Sequence, residues 1–381
     1  DGTLYLTWYE SVAESSGLRA LRLSLLPPNK DVWSKPTTIV ATDRLMENWA
    51  DFASLIVGTD GALTAQWFQR PDGEGRGYSG WYSRSEDQGK TWKTPAPLGH
   101  EFVALAPLSG GRTMAVWLES TRTRDSTTTS RLRHDSHASR PTRDPMAPYL
   151  PSMKLLARLL ARDGSTLGEW TVDPDVCTCC HNSVAVLPGD RVWVAYRGHN
   201  SDEIRDNLYA VFDPEGGWSK PETLRNDGWK IAACPVNGPA VDARGDDLAV
   251  SWFTIANDQP RVQARFSKNS GQTLSDPVVI DLGRPMGRLE TLFLSDGSAV
   301  LLWMEMGQDE NAAGIYVRRM SDAGVLSPAA LVIESSQARA SGFPRAAPRG
   351  SDTFLLSYTE AGKSNQVKVL AVPLHKLIEA R

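Results

Sequence analysis

Four cysteines and one histidine are the residues of this chain whose types and spacing are best suited to chemistry. Cys177, Cys179 and Cys180 lie close together and are followed directly by His181, while Cys234 stands alone further along the chain. Thiolate, thioether and imidazole groups are ligands that select Cu(I), or Zn(II) where thiolates dominate. The sequence therefore predicts a soft-metal site, with copper favoured over zinc. Its candidate ligands are Cys177, Cys179, Cys180, His181, Cys234 and Met286.

Three other interpretations of the cysteines stay open. A disulfide from Cys179 or Cys180 to Cys234 would stabilise the fold by roughly 2–4 kcal/mol. The segment from Cys177 to His181 also fits C-x-x-C-H, the attachment pattern of a c-type haem, although a tight link between structural units leaves little room for a macrocycle. Thiol redox chemistry is the third alternative. These interpretations overlap, because one disulfide would still leave two sulfurs and His181.

A repeated strand pattern carries these residues. Seven times the chain shows a Gly- or Asp-rich turn, a strand in which apolar residues alternate, and an aromatic residue near the end of the strand. Such alternation is what a half-buried strand requires. Repeats of about 50 residues that contain only strand patterns predict the blades of a β-propeller. The aromatic residues are Trp8, Trp67, Trp117, Tyr196, Trp252, Trp303 and Tyr358.

The predicted fold is all-β, one propeller domain over residues 1–381 made of four-stranded antiparallel blades. Seven aromatic strands favour seven blades. The first unit lacks an innermost strand and the last lacks an outermost one, so we expect both termini to share the closing blade, and a complete merger would give six. The polar stretch 121–152 has no periodicity and is interpreted as a loop inserted in the third blade. Residues 153–160, which follow it, are predicted to form an outer strand rather than a helix.

Both cysteine segments precede the innermost strand of a blade, the fourth and the fifth. They should therefore lie at one mouth of the central channel, on adjacent blades, with Met286 at the corresponding place in the sixth. A polar loop leaves the aromatic strand of the fourth blade, and we interpret it as a solvated turn or, alternatively, as a ligand-facing wall beside the cysteines. The loop residues that could bind a ligand are Arg197, His199, Arg205 and Asp206.

Two segments resemble the Asp-box motif, S-x-D-x-G-x-T-W, of the sialidase-like (BNR-repeat) propeller family. The first copy contains Ser85, Asp87, Gly89, Thr91 and Trp92. The second contains Ser267, Asn269, Gly271 and Thr273, with Asn in place of Asp and Leu274 in place of Trp. In this family the motif is a structural turn on the blade rim, where a short Asp or Asn and a Gly form the turn and the Thr and Trp cover it. With its C-x-C-C segment, the chain resembles exported bacterial propellers of this kind.

The chemistry implied by the resemblance is a separate question. Retaining sialidases hold a carboxylate with three arginines and use a Tyr nucleophile, backed by a Glu, and an acid/base Asp. Their first arginine lies in a Phe/Tyr-Arg-Ile-Pro motif near the N-terminus, which this sequence does not contain. The nearest string, Gly342-Phe343-Pro344-Arg345, has a different order and lies at the other end. A sialidase-type hydrolase or acidic-glycan-binding protein is thus the alternative to the metal site, and a protein-interaction scaffold is a third.

Net charge, apolar stretches and the number of cysteines limit the classes of partner that this chain could bind. A formal net charge of −4 gives no field that would gather nucleic acid. No stretch approaches the roughly 20 apolar residues that span a bilayer, so no transmembrane segment is predicted. Asp1 leads straight into a strand pattern, and we expect the sequence to begin after a removed segment. An even number of cysteines then favours a periplasmic or secreted protein whose ligand is a metal ion, a small molecule or a glycan.

Overall fold

A computed structural model describes residues 2–12, 17–72, 77–121, 153–321 and 324–377. Within these residues the chain forms seven separate antiparallel sheets, which are the blades of a seven-bladed β-propeller. The innermost strands of neighbouring blades contact one another in sequence from the second blade to the seventh, so the sheets are arranged around a central axis. None of the helices in the described residues is long and apolar enough to span a membrane.

The five central blades each contain an innermost strand, two middle strands and an outer edge. The second blade has β4 (Ser54–Val57), β5 (Leu63–Gln69), β6 (Ser79–Ser85) and β7 (Ala96–Gly99). The third has β8 (Glu101–Pro107), β9 (Thr113–Ser120), β10 (Met153–Leu160) and β11 (Thr166–Asp173). The fourth has β12 (Ser183–Leu187), β13 (Arg191–Arg197), β14 (Asn207–Asp213), β15 (Gly217–Trp218) and β16 (Glu222–Thr223). The fifth has β17 (Ala240–Arg244), β18 (Asp247–Thr254), β19 (Arg261–Ser267) and β20 (Val278–Val279). The sixth has β21 (Pro285–Phe293), β22 (Ala299–Met306), β23 (Ala312–Met320) and β24 (Ala330–Ser336).

The two terminal blades have three strands each. The first has β1 (Leu4–Ser11), β2 (Arg19–Leu26) and β3 (Thr37–Thr42). The seventh has β25 (Arg345–Arg349), β26 (Thr353–Glu360) and β27 (Gln366–Pro373). The described residues form no ladder between these two sheets, so the expectation that the termini share one closing blade is wrong, and the count of seven is confirmed. Side chains join the two blades instead, as where the guanidinium of Arg349 donates to Asp31 at 2.7 Å.

The repeated aromatic residues lie one to a sheet, as the pattern predicts. In blades two to six the aromatic strand is the second strand, and Trp67, Trp193, Trp252 and Trp303 on these strands are fully buried. Trp8 is only half-buried, because β1 is the first strand of its sheet and the described residues place no inner strand over it. The aromatic strands therefore form the core layer of the propeller.

The region around the predicted insertion is described in part. Residues 153–160 form β10, which pairs with both β9 and β11, so the prediction of a strand there is confirmed. The insertion assigned to 121–152 lies, apart from Thr121, outside the described residues. The third blade is complete without it.

Both segments that resemble the Asp box form tight turns after the third strand of their blades. Asp87 accepts hydrogen bonds from the Thr91 backbone N–H (2.9 Å) and from the Thr91 hydroxyl (2.6 Å). These bonds lower the pKa of Asp87 to about 2. In the second segment Asn269 accepts from the Thr273 backbone N–H at 3.0 Å. Hydrogen bonds within each segment thus hold both turns.

Candidate functional site

The cysteines lie at the mouth of the channel where the innermost strands begin. Cys177 is held by its backbone N–H, which donates to the carbonyl of Arg197 at 3.0 Å, at the end of β13. The segment that carries Cys234 runs beside it, because a Cβ on Gly238 would lie 1.9 Å from the carbonyl oxygen of His181. Only a glycine permits this approach of the backbones. The chain thus brings the two predicted segments together across adjacent blades.

The four sulfurs form one cluster, which we name the sulfur cluster (Cys177, Cys179, Cys180, Cys234). Cys179 and Cys234 are joined in a disulfide. Cys177 and Cys180 are free, with their Sγ atoms 3.7 Å apart. The Sγ atoms of Cys177, Cys179 and Cys180 all lie within 4.8 Å of one another. A thiol pair therefore lies directly against a disulfide.

Burial divides the sulfur cluster into an inner and an outer pair. Cys177 and Cys180 are only 1% and 2% exposed, whereas Cys179 is half-buried and Cys234 is exposed. Burial raises the pKa of the Cys180 thiol. A hydrogen bond with Cys180, together with the guanidinium groups of Arg197 and Arg205, holds the pKa of Cys177 below its ordinary value. The inner pair is therefore asymmetric, and Cys177 is the sulfur that favours the thiolate.

A chain of charged groups runs from the surface to Cys177. Asp175 and Glu203 contact the two ring nitrogens of His199 at 2.9 and 3.1 Å. Glu203 also accepts from the Arg205 guanidinium at 2.8 Å, and the other Nη of Arg205 lies 3.4 Å from the Sγ of Cys177. Two of the loop residues predicted to face a ligand, His199 and Arg205, thus belong to the surroundings of the sulfur cluster.

The other two loop residues have structural contacts. Arg197 is 2% exposed and donates to the carbonyls of Arg205, Asn237 and Phe253 at 2.7 to 2.8 Å. Its guanidinium also lies over the ring of Trp229, 4.7 Å from the centroid. Asp206 accepts from the backbone N–H groups of two residues in the next segment, 228 and 229, at 2.9 Å each. In these positions both side chains tie the fourth blade to the fifth.

His181 and Met286 are the two other predicted ligands of the metal site. The ring of His181 packs edge-on against Phe343, with centroids 4.9 Å apart. Burial lowers the pKa of His181 to about 3, so the ring is neutral, and its Nδ1 is buried with no hydrogen-bond partner among the described residues. Met286 packs against the hydrophobic cluster of the sixth and seventh blades. Among the described residues, His181 is thus not one of the ligand groups that lie mutually close.

The opposite side of the mouth is aromatic and cationic, and we name it the aromatic wall (Trp49, Phe52, Phe343, Arg288, Arg345, Glu290). Phe343 stacks on Trp49 with centroids 5.9 Å apart and lies 5.8 Å from Phe52. The guanidinium of Arg288 lies over Trp49 at 5.2 Å, and that of Arg345 lies over Phe52 at 5.9 Å. This wall continues to the sulfur cluster through the contact of Phe343 with His181.

One buried acid belongs to the aromatic wall. Glu290, on the innermost strand β21, has an Oε2 that lies 2.9 Å from Nε of Arg345 on β25. Burial raises the pKa of Glu290 to about 7 even though Arg345 opposes this shift. The same Oε2 lacks a partner of hydrogen-bonding geometry within the described residues. Glu290 can therefore exchange a proton near neutral pH.

Sequence reasoning did not select the residues of the aromatic wall. Trp49 and Phe52 precede β4, and Phe343 precedes β25, in the same relation to an innermost strand as the cysteines. The rule that placed the cysteines at the mouth would have placed these residues there as well. The string from Gly342 to Arg345, set aside for its order, also lies at the mouth.

Comparisons with known proteins show the fold. A polysaccharide lyase, an ulvan lyase, superposes with a TM-score of 0.54 at 9% identity, over 95% of this chain and 91% of its own. The NanB sialidase from Streptococcus pneumoniae gives 0.51 at 10% identity, over 87% and 70%. An α-L-arabinofuranosidase from Fusarium graminearum gives 0.50 at 13% identity, over 86% and 94%. No protein-family model and no curated protein matches the chain. The structural neighbours are thus sialidases and related propeller glycosidases and lyases, at identities that show the fold alone.

Proposed function

We propose that this propeller binds a soft metal ion, Cu(I), through Cys177 and Cys180 at the mouth of its channel. The observation that carries the proposal is the inner pair itself, two free thiols 3.7 Å apart and almost completely buried. Two thiolates that hold Cu(I) between them at about 2.3 Å in a linear arrangement lie roughly 4.6 Å apart, so the two sulfurs would have to separate by about 1 Å. The site needs little movement to take up a metal.

Charge supports a bis-thiolate complex of Cu(I). Such a complex carries a net charge of −1. Arg197 contacts only carbonyls and an aromatic ring, and the described residues place no carboxylate in ion-pair contact with it. Arg205 shares its charge with Glu203 and contacts Cys177 directly. A buried cation is stabilised by a nearby anion, so these two guanidinium groups favour an anionic complex.

The number of available donors favours copper over zinc. Structural Zn(II) takes four ligands, and soft thiolates select Cu(I). The third sulfur within reach, that of Cys179, is engaged with Cys234. The ring of His181 packs edge-on against Phe343, and His181 is not in the group of mutually close ligand atoms. Two thiolates satisfy Cu(I) and leave Zn(II) with too few ligands. A disulfide beside the site fits the oxidising surroundings of an exported protein, so we place the chain in the periplasm or outside the cell.

The experiment is a competitive titration of the full chain with Cu(I), in the presence of a chromophoric Cu(I) chelator, followed by metal analysis. We expect one Cu(I) per chain and no comparable retention of Zn(II). The inner double variant, Cys177→Ser/Cys180→Ser, should lose the bound copper. The matched outer variant, Cys179→Ser/Cys234→Ser, should keep it. Copper binding that survives in the inner variant, or is absent in the native chain, would contradict the proposal.

A second candidate, the binding or hydrolysis of an acidic glycan, is favoured by one observation on the aromatic wall. Nδ1 of His181 is buried with no partner among the described residues, and Oε2 of Glu290 has an ion-pair contact with Arg345 but no hydrogen bond among them. Buried polar groups normally have partners, so a ligand with hydroxyl donors would satisfy them. Trp49 and Phe52 offer apolar faces, and Arg345 offers a cation that is 54% exposed.

Hydrolysis of a fluorogenic sialoside and calorimetric binding of an acidic oligosaccharide test this second candidate. Both Glu290→Gln and Arg345→Ala should abolish the turnover or the binding heat, because each removes a polar group of the wall. The outer cysteine variant should leave them unchanged. If the native chain neither binds nor cleaves such glycans, the aromatic wall is not a glycan site.

A further inference from the structure

We propose that the sulfur cluster is an internal electron relay, in which the inner thiols Cys177 and Cys180 reduce the outer disulfide Cys179–Cys234. The relay is carried by geometry. Both inner Sγ atoms lie within 4.8 Å of the Sγ of Cys179, which is already bonded to Cys234. A thiol that attacks a disulfide sulfur displaces its partner, so the attacked atom must be within reach of the attacking one. Cys179 is within reach of both inner thiols.

The exchange is balanced without an external oxidant or reductant. The Cys177 sulfur forms a bond with the Cys179 sulfur, the Cys179–Cys234 bond breaks, and Cys234 leaves as a thiolate that takes up the proton released by Cys177. The Cys180 sulfur then bonds to Cys177, the Cys177–Cys179 bond breaks, and Cys179 takes up the proton from Cys180. Two electrons have moved from the inner pair to the outer pair, and one disulfide has replaced another.

The exposure of Cys234 favours the movement of electrons from the buried inner pair to the outer pair. The displaced Cys234 is exposed, so water can solvate the leaving thiolate as it forms. The attacking Cys177 is buried beside the Arg205 guanidinium, 3.4 Å away, which fixes its position. The disulfide therefore lies between the outer cysteines before the exchange and between the buried inner cysteines after it. The two thiols that result lie where a partner thiol or an oxidant can meet them.

The relay uses the same cysteines as the proposed copper site but does not depend on it. Its test is therefore carried out on metal-free protein. If the native chain shows thiol–disulfide exchange but binds no copper, the relay is supported and the metal proposal is contradicted. If it binds copper without exchange, the metal proposal is supported and the relay is contradicted. If the chain both exchanges and binds copper, a metal on the inner thiols should stop the exchange, because the attacking sulfurs are then metal ligands.

The experiment traps the outer thiols with N-ethylmaleimide in the native, metal-free full chain and maps tryptic peptides over time. Trypsin releases residues 163–191, which contain three of the cysteines, and residues 231–244, which contain Cys234. At the start the disulfide links these two peptides. We expect the linked pair to disappear as singly labelled 231–244 accumulates, together with 163–191 that carries one label and one internal disulfide.

Two variants make the result specific. Cys177→Ser/Cys180→Ser leaves the outer disulfide without an attacker, so its two peptides should stay linked throughout. Cys180→Ser stops after the first step, so peptide 231–244 should be labelled while 163–191 carries a Cys177–Cys179 disulfide and no label. Peptides that stay linked in the native chain while the inner thiols are labelled would overturn the relay. Equal loss of the link in native chain and double variant would overturn it as well.

Discussion

The charged side chains on the two sides of the channel mouth have different surroundings. On the sulfur side, the buried Arg205 contacts Glu203 and Cys177 through its two Nη atoms, and a covalent bond joins adjacent blades. On the aromatic wall, the buried Glu290 lies 2.9 Å from the guanidinium of Arg345, which is 54% exposed to solvent. One side is cross-linked by a disulfide, and the other pairs a buried acid with a cation that is open to solvent. We therefore expect variants of the outer disulfide to change mainly the free energy of unfolding, and variants of the Glu290–Arg345 pair to change its dependence on pH.

The largest effect should come from breaking the cross-link on the sulfur side. The disulfide closes a loop with a sequence separation of 55, for which the chain-entropy estimate is about 4 kcal/mol. We expect Cys179→Ser/Cys234→Ser to lower the free energy of unfolding by about this amount in urea titrations. The inner variant Cys177→Ser/Cys180→Ser keeps the cross-link and serves as the control. Equal losses in both variants would show that the cross-link adds nothing beyond the sulfur atoms.

The aromatic wall should instead show a dependence on pH. Burial raises the folded-state pKa of Glu290 to about 7, so its contribution to stability is complete below the unfolded value of 4.5 and is lost as pH rises through 7. Glu290→Gln removes this titration. Between about pH 5 and about pH 8.5 the variant should gain roughly 3 kcal/mol relative to the native chain. Parallel stability profiles for the two proteins would show that Glu290 is not the titrating group.

A substitution at Gly238 tests how closely the two backbone segments of the sulfur side pack against each other. Gly238→Ala places a Cβ against the carbonyl of His181, and that backbone must move to accommodate it. We expect a loss of about 2–3 kcal/mol in thermal or urea unfolding. Gly216→Ala, where the nearest side-chain atom would be 3.9 Å away, is the matched control and should change little. A tolerated Gly238→Ala would mean that the two segments are looser than this contact implies.

The smallest effect should come from the ring contacts of the aromatic wall. Phe343→Leu keeps an apolar side chain but removes stacking with Trp49 and the edge contact with His181. Aromatic pairs contribute about 1 kcal/mol beyond burial, and the loss of stability should be of that size. Copper binding by the sulfur cluster should stay unchanged. A variant that loses copper would show that the two sides of the mouth are not separate.

The fold follows from sequence because its signal is repeated. Seven aromatic strands, from Trp8 to Tyr358, each supply the same pattern, so an error in one does not change the architecture. The closing of the ring was not predictable in the same way, because it depends on contacts between chain ends. Nothing in the local pattern of β1 or β27 specifies whether their sheets merge.

The candidate site followed from sequence only in part. Position before an innermost strand was enough to bring Cys177 and Cys234 together. Cys179 rather than Cys180 is the disulfide partner because its side chain points outward. The backbone conformation alone decides this direction for two neighbouring cysteines, and the sequence does not specify it. Glu290 was missed because an acid on a strand carries no signal until the fold shows that it is buried. His181 fitted a metal-ligand pattern, but the aromatic neighbour that holds its ring comes from another blade.

One residue, Asn237, connects the two sides of the mouth. Its backbone carbonyl accepts from the Arg197 guanidinium at 2.7 Å, its side-chain amide donates to the carbonyl of Met286 at 3.1 Å, and its side-chain oxygen accepts from the backbone N–H of Arg288 at 2.9 Å. Arg288 in turn lies over Trp49. If a metal on the sulfur side moves Asn237, it changes the affinity of the aromatic wall for its ligand. Thermodynamic reciprocity then requires that ligand to change the affinity for the metal by the same factor.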